Sequence, residues 1–286
     1  MVKLNKDFLF DSIVVLLLTI IALICIIPML YVLSMSITPF SEVQRNGGFV
    51  LVPRAVTFEA YRNLLTGNNI QNAFRISLFI TIVGTTMNLL VTILMAYPLS
   101  RKNLLGRNWM TNVIIFTMMF NGGMIPTYLI VKSLGLIDKV MALILPQLVW
   151  SFNLLIIKNF FQSISEELIE SMRIDGAGDW RVLFTLVLPL SMPVLMTVGL
   201  YYAVGHWNQY FQSVLYITTR SLRPIQAVVR EILALSNNPL NEATEIVPTI
   251  TMQMASIMIA AIPILAVYPF VQRFFVKGVM LGALKG

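Results

Sequence analysis

The chain has 286 residues, of which 57% are hydrophobic and 12% charged, and a formal net charge of +7. Its mean hydropathy is +0.81. An ordinary soluble domain is roughly one-quarter charged, so this composition excludes a soluble globular protein and describes an integral membrane protein. In a chain this apolar, the excess of Lys and Arg serves to anchor spans and not to bind nucleic acid.

Six apolar stretches, about 12–37, 77–99, 109–131, 140–157, 191–218 and 248–272, come near the length of about 20 residues that crosses a hydrocarbon core of about 30 Å. They predict an all-α fold of six transmembrane helices in one domain, 1–286, with the core helices at about 77–272. Lys3 and Lys6 precede the first stretch, which is longer than a signal-peptide core and has no small-residue cleavage site after it. It is expected to stay as an anchor. Cys25 is the single cysteine, so no intrachain disulfide can form. With the N-terminus inside, 11 of the 20 Lys and Arg fall on the cytoplasmic side. An even number of spans then puts both termini and the segment 163–189 there too. Outside lie two longer segments, 38–70 and 219–247, which composition alone assigns equally well to partner contact or to simple connection.

None of the apolar stretches carries Asp, Glu, Lys or Arg in its core. Ion-coupled carriers need intramembrane groups that hold a proton or ion, and carriers of the inverted-repeat type show two matching halves. Neither is present. The phosphate-loop pattern Gly-x-x-x-x-Gly-Lys-[Ser/Thr] is missing as well, and one histidine without a carboxylate near it offers no catalytic or metal-binding set. The chain is expected to be neither an enzyme nor a holder of any cofactor. Energy has to enter from a partner.

The segment 163–189 is the expected port. It holds Glu166, Glu167, Glu170, Asp175 and Asp179 against Arg173 and Arg181. Ser163 and Glu166 have capping-box spacing, and Ile164, Leu168 and Met172 fall on one helical stripe. Gly176 can take the left-handed conformation that ends a helix, and a return helix is expected from Asp179 towards Pro189. An amphipathic helix of this kind lies in a partner's groove. Resting on anionic headgroups is the alternative, and the local acidity opposes it.

The run Glu170-Ser-Met-Arg-Ile-Asp-Gly176, followed nine residues later by Leu186-Val-Leu188-Pro189, resembles the loop motif of binding-protein-dependent ABC importer permeases, Glu-Ala-Ala-x-x-x-Gly and Ile-x-Leu-Pro. Ser171, Met172 and Leu186 depart from it. Thr38-Pro39-Phe-Ser-Glu42, Ala96-Tyr-Pro-Leu-Ser-Arg101, Trp207-Asn208 and Gln272-Arg-Phe-Phe-Val-Lys-Gly278 resemble the maltose-type oligosaccharide permeases. Phe120-Asn-Gly-Gly-Met-Ile-Pro126 and Ala203-Val-Gly-His-Trp-Asn208 resemble a branch associated with pectin-derived and other plant-polysaccharide oligosaccharides.

The resemblance implies a type I importer permease fold and a set of partners. These are a second homologous permease, two cytoplasmic ATPase subunits that bind ATP and magnesium, and an extracytoplasmic sugar-binding lipoprotein delivering an oligosaccharide. It also implies that Glu170, Arg173, Asp175, Gly176, Leu188 and Pro189 couple to the ATPase. Of the cytoplasmic tail, 273–286, the part from Lys277 to Gly286, with Gly278, Gly282 and Gly286 at four-residue spacing, resembles tails that insert between ATPase subunits; a frayed terminus is the alternative.

For the translocation path, Tyr202, His206, Gln209 and Tyr210 recur at helical spacing in the fifth stretch, with Trp150, Asn153 and Asn121 as additions. Polar groups inside a membrane line a path or a helix contact, and aromatic and amide side chains suit sugars. His206 fits a bond to a neighbouring helix equally well, and Tyr210 fits the outer aromatic belt. The remaining rivals for the whole chain are an ion-coupled sugar carrier and a membrane scaffold without transport.

Overall fold

Long runs of Leu, Ile, Val and Met can satisfy their backbone polar groups in a membrane only by forming helices or closed barrels. In a computed structural model, which describes residues 3–235 and 249–283, the described residues form α-helices, short 3-10 turns and a π-helical turn, and no strand. The polar run 236–247 and the last residues of the tail, Leu284 to Gly286, lie outside the described residues.

In chain order the helices are α1 (Lys3–Ile37), α2 (Phe40–Arg45), α3 (Glu59–Thr66), α4 (Asn68–Ser100), α5 (Arg107–Met119), α6 (Met124–Ser133), α7 (Ser151–Ser163), α8 (Glu166–Ile174) and α9 (Asp179–Val182). They continue with α10 (Leu188–Trp207), α11 (Phe211–Tyr216), α12 (Ile225–Leu235) and α13 (Ile250–Ala283). Four segments are each long and apolar enough to cross a membrane: Phe10–Ile37, Asn69–Ser100, Asp179–Trp207 and Ile250–Val267. Two bent helix pairs bring the number to six if each pair counts as one span.

Those pairs correct the expectation of straight spans at 109–131 and 140–157. α5 and α6 meet at 113° across Phe120-Asn-Gly-Gly123. Gly123 has φ +87°, and its N–H donates to Asn121 Oδ1 at 2.9 Å, an Asx-type turn that glycine permits. The second pair consists of 3-10 turns over Val140–Gln147 followed by α7, bent by 49° across residues 148–150. Two further expectations change. The stretch 191–218 ends its long helix at Trp207 and resumes as α11. The segment 219–247, read as a loop, contains α12, which buries Ile225, Val228 and Val229.

Residues 1–70 and 229–262 form one compact unit, and residues 71–228 with 263–286 another. In the first, α1 leaves its most apolar window entirely unburied within the chain, as a helix facing lipid or a partner would. The end of α1 is fixed by Ser34 Oγ donating to Val50 O at 2.9 Å and by a 2.8 Å bond between the Ser36 and Tyr61 hydroxyls. Met35, Val43 and Val50 are buried there, with Tyr31, Ile250 and Met254 against them.

In the second unit the main apolar core joins Ala96, Tyr97 and Leu99 of α4, Leu154, Ile157 and Phe161 of α7, Ile169 of α8, and Val182, Leu183, Val187, Leu195, Val198 and Tyr202 along α9 and α10. Within the spans such side chains gain close van der Waals packing and not transfer out of water, since lipid tails are as apolar as leucine. The helix hairpin at 163–189 is thus continuous with the packing of the spans.

Candidate functional site

The hairpin begins at Ser165, whose Oγ accepts the Glu167 N–H at 3.2 Å. This corrects the capping expected at Ser163. Ser163 is the last residue of α7 and donates its hydroxyl to Phe160 O at 2.8 Å, because Phe161 and its neighbours continue the helix into the core. Glu166 does not cap; its carboxylate pairs with Lys102 at 2.9 Å. The inward side of α8 is Ile169, buried, with Met172 partly buried against the same core. Of the expected stripe, Leu168 instead faces outward and is 48% exposed.

Gly176 ends α8 as expected, at φ +79°. Its N–H donates to Arg173 O at 3.0 Å, and the Ala177 N–H donates to Met172 O at 2.9 Å. That pair of bonds is a Schellman closure, and Met172 and Ala177 supply its apolar contact. Arg173 then reaches Asp179 at 2.8 Å, which raises the pKa of its guanidinium. The Tyr97 hydroxyl donates to Asp179 O at 3.2 Å. Together these bonds orient α9 against α8 and the end of α4.

Pro189 explains the next feature. A proline inside a helix removes one N–H and crowds the carbonyl four residues earlier, and here the ladder loosens into a π turn over Leu183–Val187 before α10 continues. Leu188 is partly buried against the core.

The outer face of α8 carries Glu167, Glu170, Ser171 and Ile174, at positions i, i+3, i+4 and i+7, all exposed. Ile174 is 86% exposed. Among the described residues, Glu167, Glu170 and Asp175 make no ion pair within the chain, whereas Glu166 and Asp179 do. An acidic helix with an unburied isoleucine is suited to a groove that supplies both cations and an apolar socket.

The mid-span cluster is assembled differently from the single helical face expected. Tyr202 and His206 lie on α10 and are fully buried. The Tyr202 hydroxyl meets the Thr92 hydroxyl at 2.8 Å, and its ring stands edge-on to Trp150, with centroids 5.1 Å apart. His206 Nε2 meets Asn88 Oδ1 at 2.9 Å, and Asn88 donates to Gln147 O at 2.7 Å. Gln209 lies beyond the end of α10, where its amide donates to Leu143 O at 2.8 Å and faces Gln147 and the other His206 nitrogen at 3.2 and 3.3 Å. Asn153 is buried on α7, Tyr210 is at the surface, and Asn121 is exposed at the α5–α6 break. Gly84 gives His206 its room: a Cβ there would lie 2.6–2.8 Å from three ring atoms.

Residues 88–281 match the profile of the family described as "Binding-protein-dependent transport system inner membrane component". The chain belongs to this family. It is 42% identical over 98% of its length to the whole of a Bacillus subtilis polygalacturonan/rhamnogalacturonan transport system permease protein, YtcP. It is also 44% identical to Protein LplC of the same organism, over 92% of this chain and 90% of that one. Among solved structures, a bacterial ABC transporter involved in the import of the acidic polysaccharide alginate matches with a TM-score of 0.86. That match is 31% identical and covers 94% of this chain and 98% of the other.

This permease is therefore a multi-pass membrane subunit with the fold of an ABC importer permease. Within it the expected site residues separate into two groups. Glu170, Arg173, Asp175 and Gly176 come together in one hairpin, with Leu188 and Pro189 at the root of its return helix. Tyr202, His206, Gln209, Asn153 and Trp150 join a buried polar core, from which Tyr210 and Asn121 stand apart. Sequence reasoning passed over Gly84, Asn88, Thr92 and Gln147. A polar Asn in the middle of an apolar span was the available signal, since such groups need a partner inside the membrane.

Proposed function

We propose that this permease forms half of the membrane gate of an ATP-driven importer of oligosaccharides from acidic plant polysaccharides. It would have six spans, with both termini and the 163–189 hairpin in the cytoplasm. The substrate class is supported by the polygalacturonan/rhamnogalacturonan name of its relative and by the alginate transporter of similar structure. In this reading a second homologous permease completes the path, and a binding lipoprotein delivers the sugar at the outer face. Two ATPase subunits, which carry the ATP and magnesium, hold the α8 helices, so this chain catalyses nothing itself.

Closure of the ATPases draws the two hairpins together. Glu170 and Asp175 meet the cations of the ATPase groove, Ile174 fills its apolar socket, and Gly176 keeps α8 and α9 at a fixed angle. Leu188 and Pro189 join the pull to α10 through the π turn. On the sugar's route, Asn121 and Tyr210 supply the polar and aromatic surface. Tyr202, His206, Gln209, Asn153 and Trp150 hold the helices that border the route.

The observation that carries this reading is the outer face of α8, which presents unpaired acids beside an exposed isoleucine on a hairpin rooted in the core of the spans. Glu170→Lys tests it. Oligogalacturonide uptake should fall by about tenfold or more, because a charge-assisted bond to a cation is worth about 1.5–3 kcal/mol, while the amount of permease in the membrane stays the same. Undiminished uptake would overturn the coupling role.

A further inference from the structure

Beside the hairpin, where α4 ends at Ser100 and the α9–α10 span begins at Asp179, there is a cavity of about 420 Å³ lined by Arg101, Arg173, Asp179 and Trp180 among others. That volume falls within the range of about 300–1,000 Å³ typical of small-ligand sites. Its charge is unbalanced. The Asp179 carboxylate is taken up by Arg173 at 2.8 Å, and Lys102 takes Glu166. Arg101 stacks over the Tyr97 ring at 4.7 Å, and its Nε and Nη2 are buried without a hydrogen-bond acceptor. Arg101 is half-buried, and enclosed guanidinium N–H groups left without an acceptor are costly unless an anion meets them. Burial lowers the pKa of Arg101 from its ordinary value, and Arg173 adds to that effect.

Beside it, sharing part of its lining, is an apolar groove of about 450 Å³ between α4 and α5, lined by Leu94, Leu104, Trp109 and Val113 among others. Leu94 and Leu104 line both spaces. Trp109 and Trp180 are 71% and 65% exposed, as interfacial tryptophans are. A cationic pocket at the ends of two spans, with an apolar slot beside it, is complementary to a molecule with an anionic head and a hydrocarbon tail. Basic pockets between spans on the cytoplasmic side bind such head groups.

We infer that this cleft holds an anionic phospholipid of the inner leaflet, with its phosphate at Arg101 and Arg173 and an acyl chain in the α4–α5 groove. The lipid would buttress the root of the hairpin, where Tyr97 and Arg173 both hold Asp179. The inner-leaflet assignment rests on the cytoplasmic placement of the hairpin given above.

The test uses the complete transporter, co-expressed with its partner subunits, purified in mild detergent and assayed for retained phosphatidylglycerol relative to phosphatidylethanolamine. Arg101→Gln should lower retained phosphatidylglycerol about tenfold, the scale of one lost charge-assisted interaction, with the ATPase subunits still bound. Val113→Trp, which places a bulky side chain in the groove, should do the same and serves if the arginine variant does not accumulate. Unchanged phosphatidylglycerol in both variants overturns the inference. So does loss of the ATPase from Arg101→Gln with the lipid retained, which would make a carboxylate of the ATPase the occupant. Sidedness is read separately in a Cys25→Ser background: labelling of Ser163→Cys by an impermeant maleimide from outside would overturn the cytoplasmic placement and leave the lipid count to stand alone.

Discussion

Gly84→Ala isolates the buried polar core by adding a single methyl group. The new Cβ would lie 2.6 Å from His206 Nε2 and 2.8 Å from two ring carbons, well inside van der Waals contact. The ring cannot retreat freely, because Asn88 holds one nitrogen at 2.9 Å and Gln209 approaches the other at 3.3 Å. Overpacking of this kind costs about 1–3 kcal/mol, and breaking one bond of the network adds about 0.5–1.5 kcal/mol. A destabilisation of about 1.5–4.5 kcal/mol would lower a melting midpoint by on the order of 10 °C. The assay is the midpoint of heat-induced aggregation of the detergent-purified transporter. Removing the ring should relieve the clash, so Gly84→Ala with His206→Ala should melt no lower than His206→Ala alone, a coupling of about 1–3 kcal/mol between neighbours. Coincident melting of Gly84→Ala and the parent, or no relief in the double variant, would refute the packing argument.

Gly176→Ala should reduce uptake several-fold at equal membrane abundance. The position has φ +79° with nothing within 4 Å of an added Cβ, so the penalty is that of a left-handed backbone alone, about 1–2 kcal/mol. Gly176→Asn should be milder, since asparagine tolerates that region better, and the order Gly, Asn, Ala in an uptake assay checks this. Between α6 and the 3-10 turns, Asp138 accepts the Thr219 hydroxyl at 2.6 Å and the Thr219 and Thr218 N–H groups at 2.8 and 3.0 Å, which holds its pKa down to about 2. A folded pKa below the unfolded value of about 3.9 gives stability that is complete above about pH 4 and lost as the pH falls through 2. Melting midpoints should therefore carry this group's full contribution, unchanged with pH, between pH 5 and 8 and decline from pH 4 to 2, and Asp138→Asn should lower the plateau and remove that component of the decline.

The parts legible in the sequence were those in which one residue type meets one backbone demand. Gly176 announced the hairpin because only a residue without Cβ ends a helix there cheaply, and the long apolar runs announced α1, α4 and α13. The capping of α8 was misread because Ser163 and Ser165 both precede acids. Tertiary packing of Phe161 decides between them by drawing α7 on through Ser163, and local spacing cannot show that. The α5–α6 break did leave a signal in Asn121-Gly-Gly123, turn residues inside an apolar run. The end of α10 at Trp207 left none. Asn208 and Gln209 are followed by neither Pro nor Gly, and the chain turns where Gln209 finds the carbonyl of Leu143, 66 positions away in sequence. α12 was visible as Ile225, Val228, Val229 and Ile232 at helical spacing, but it was read as loop because Pro224 and the polar run after it dominated the window.

In the reading proposed above, the same core gives the hairpin a physical route to the spans. Ile169 of α8, Phe161 of α7 and Val198 and Tyr202 of α10 belong to one buried cluster, and close-packed interiors transmit displacement because they have few voids to absorb it. Tyr202 is in turn tied to α4 through Thr92, and four residues further along α10, His206 is tied to Asn88. A pull on α8 would therefore reach α4 and α10 through contacts already present. The weakest backbone on that route is the π turn at Leu183–Val187, where Pro189 has removed a rung of the ladder. Yielding there would let α10 tilt while Arg173, Asp179 and Tyr97 keep the hairpin itself rigid.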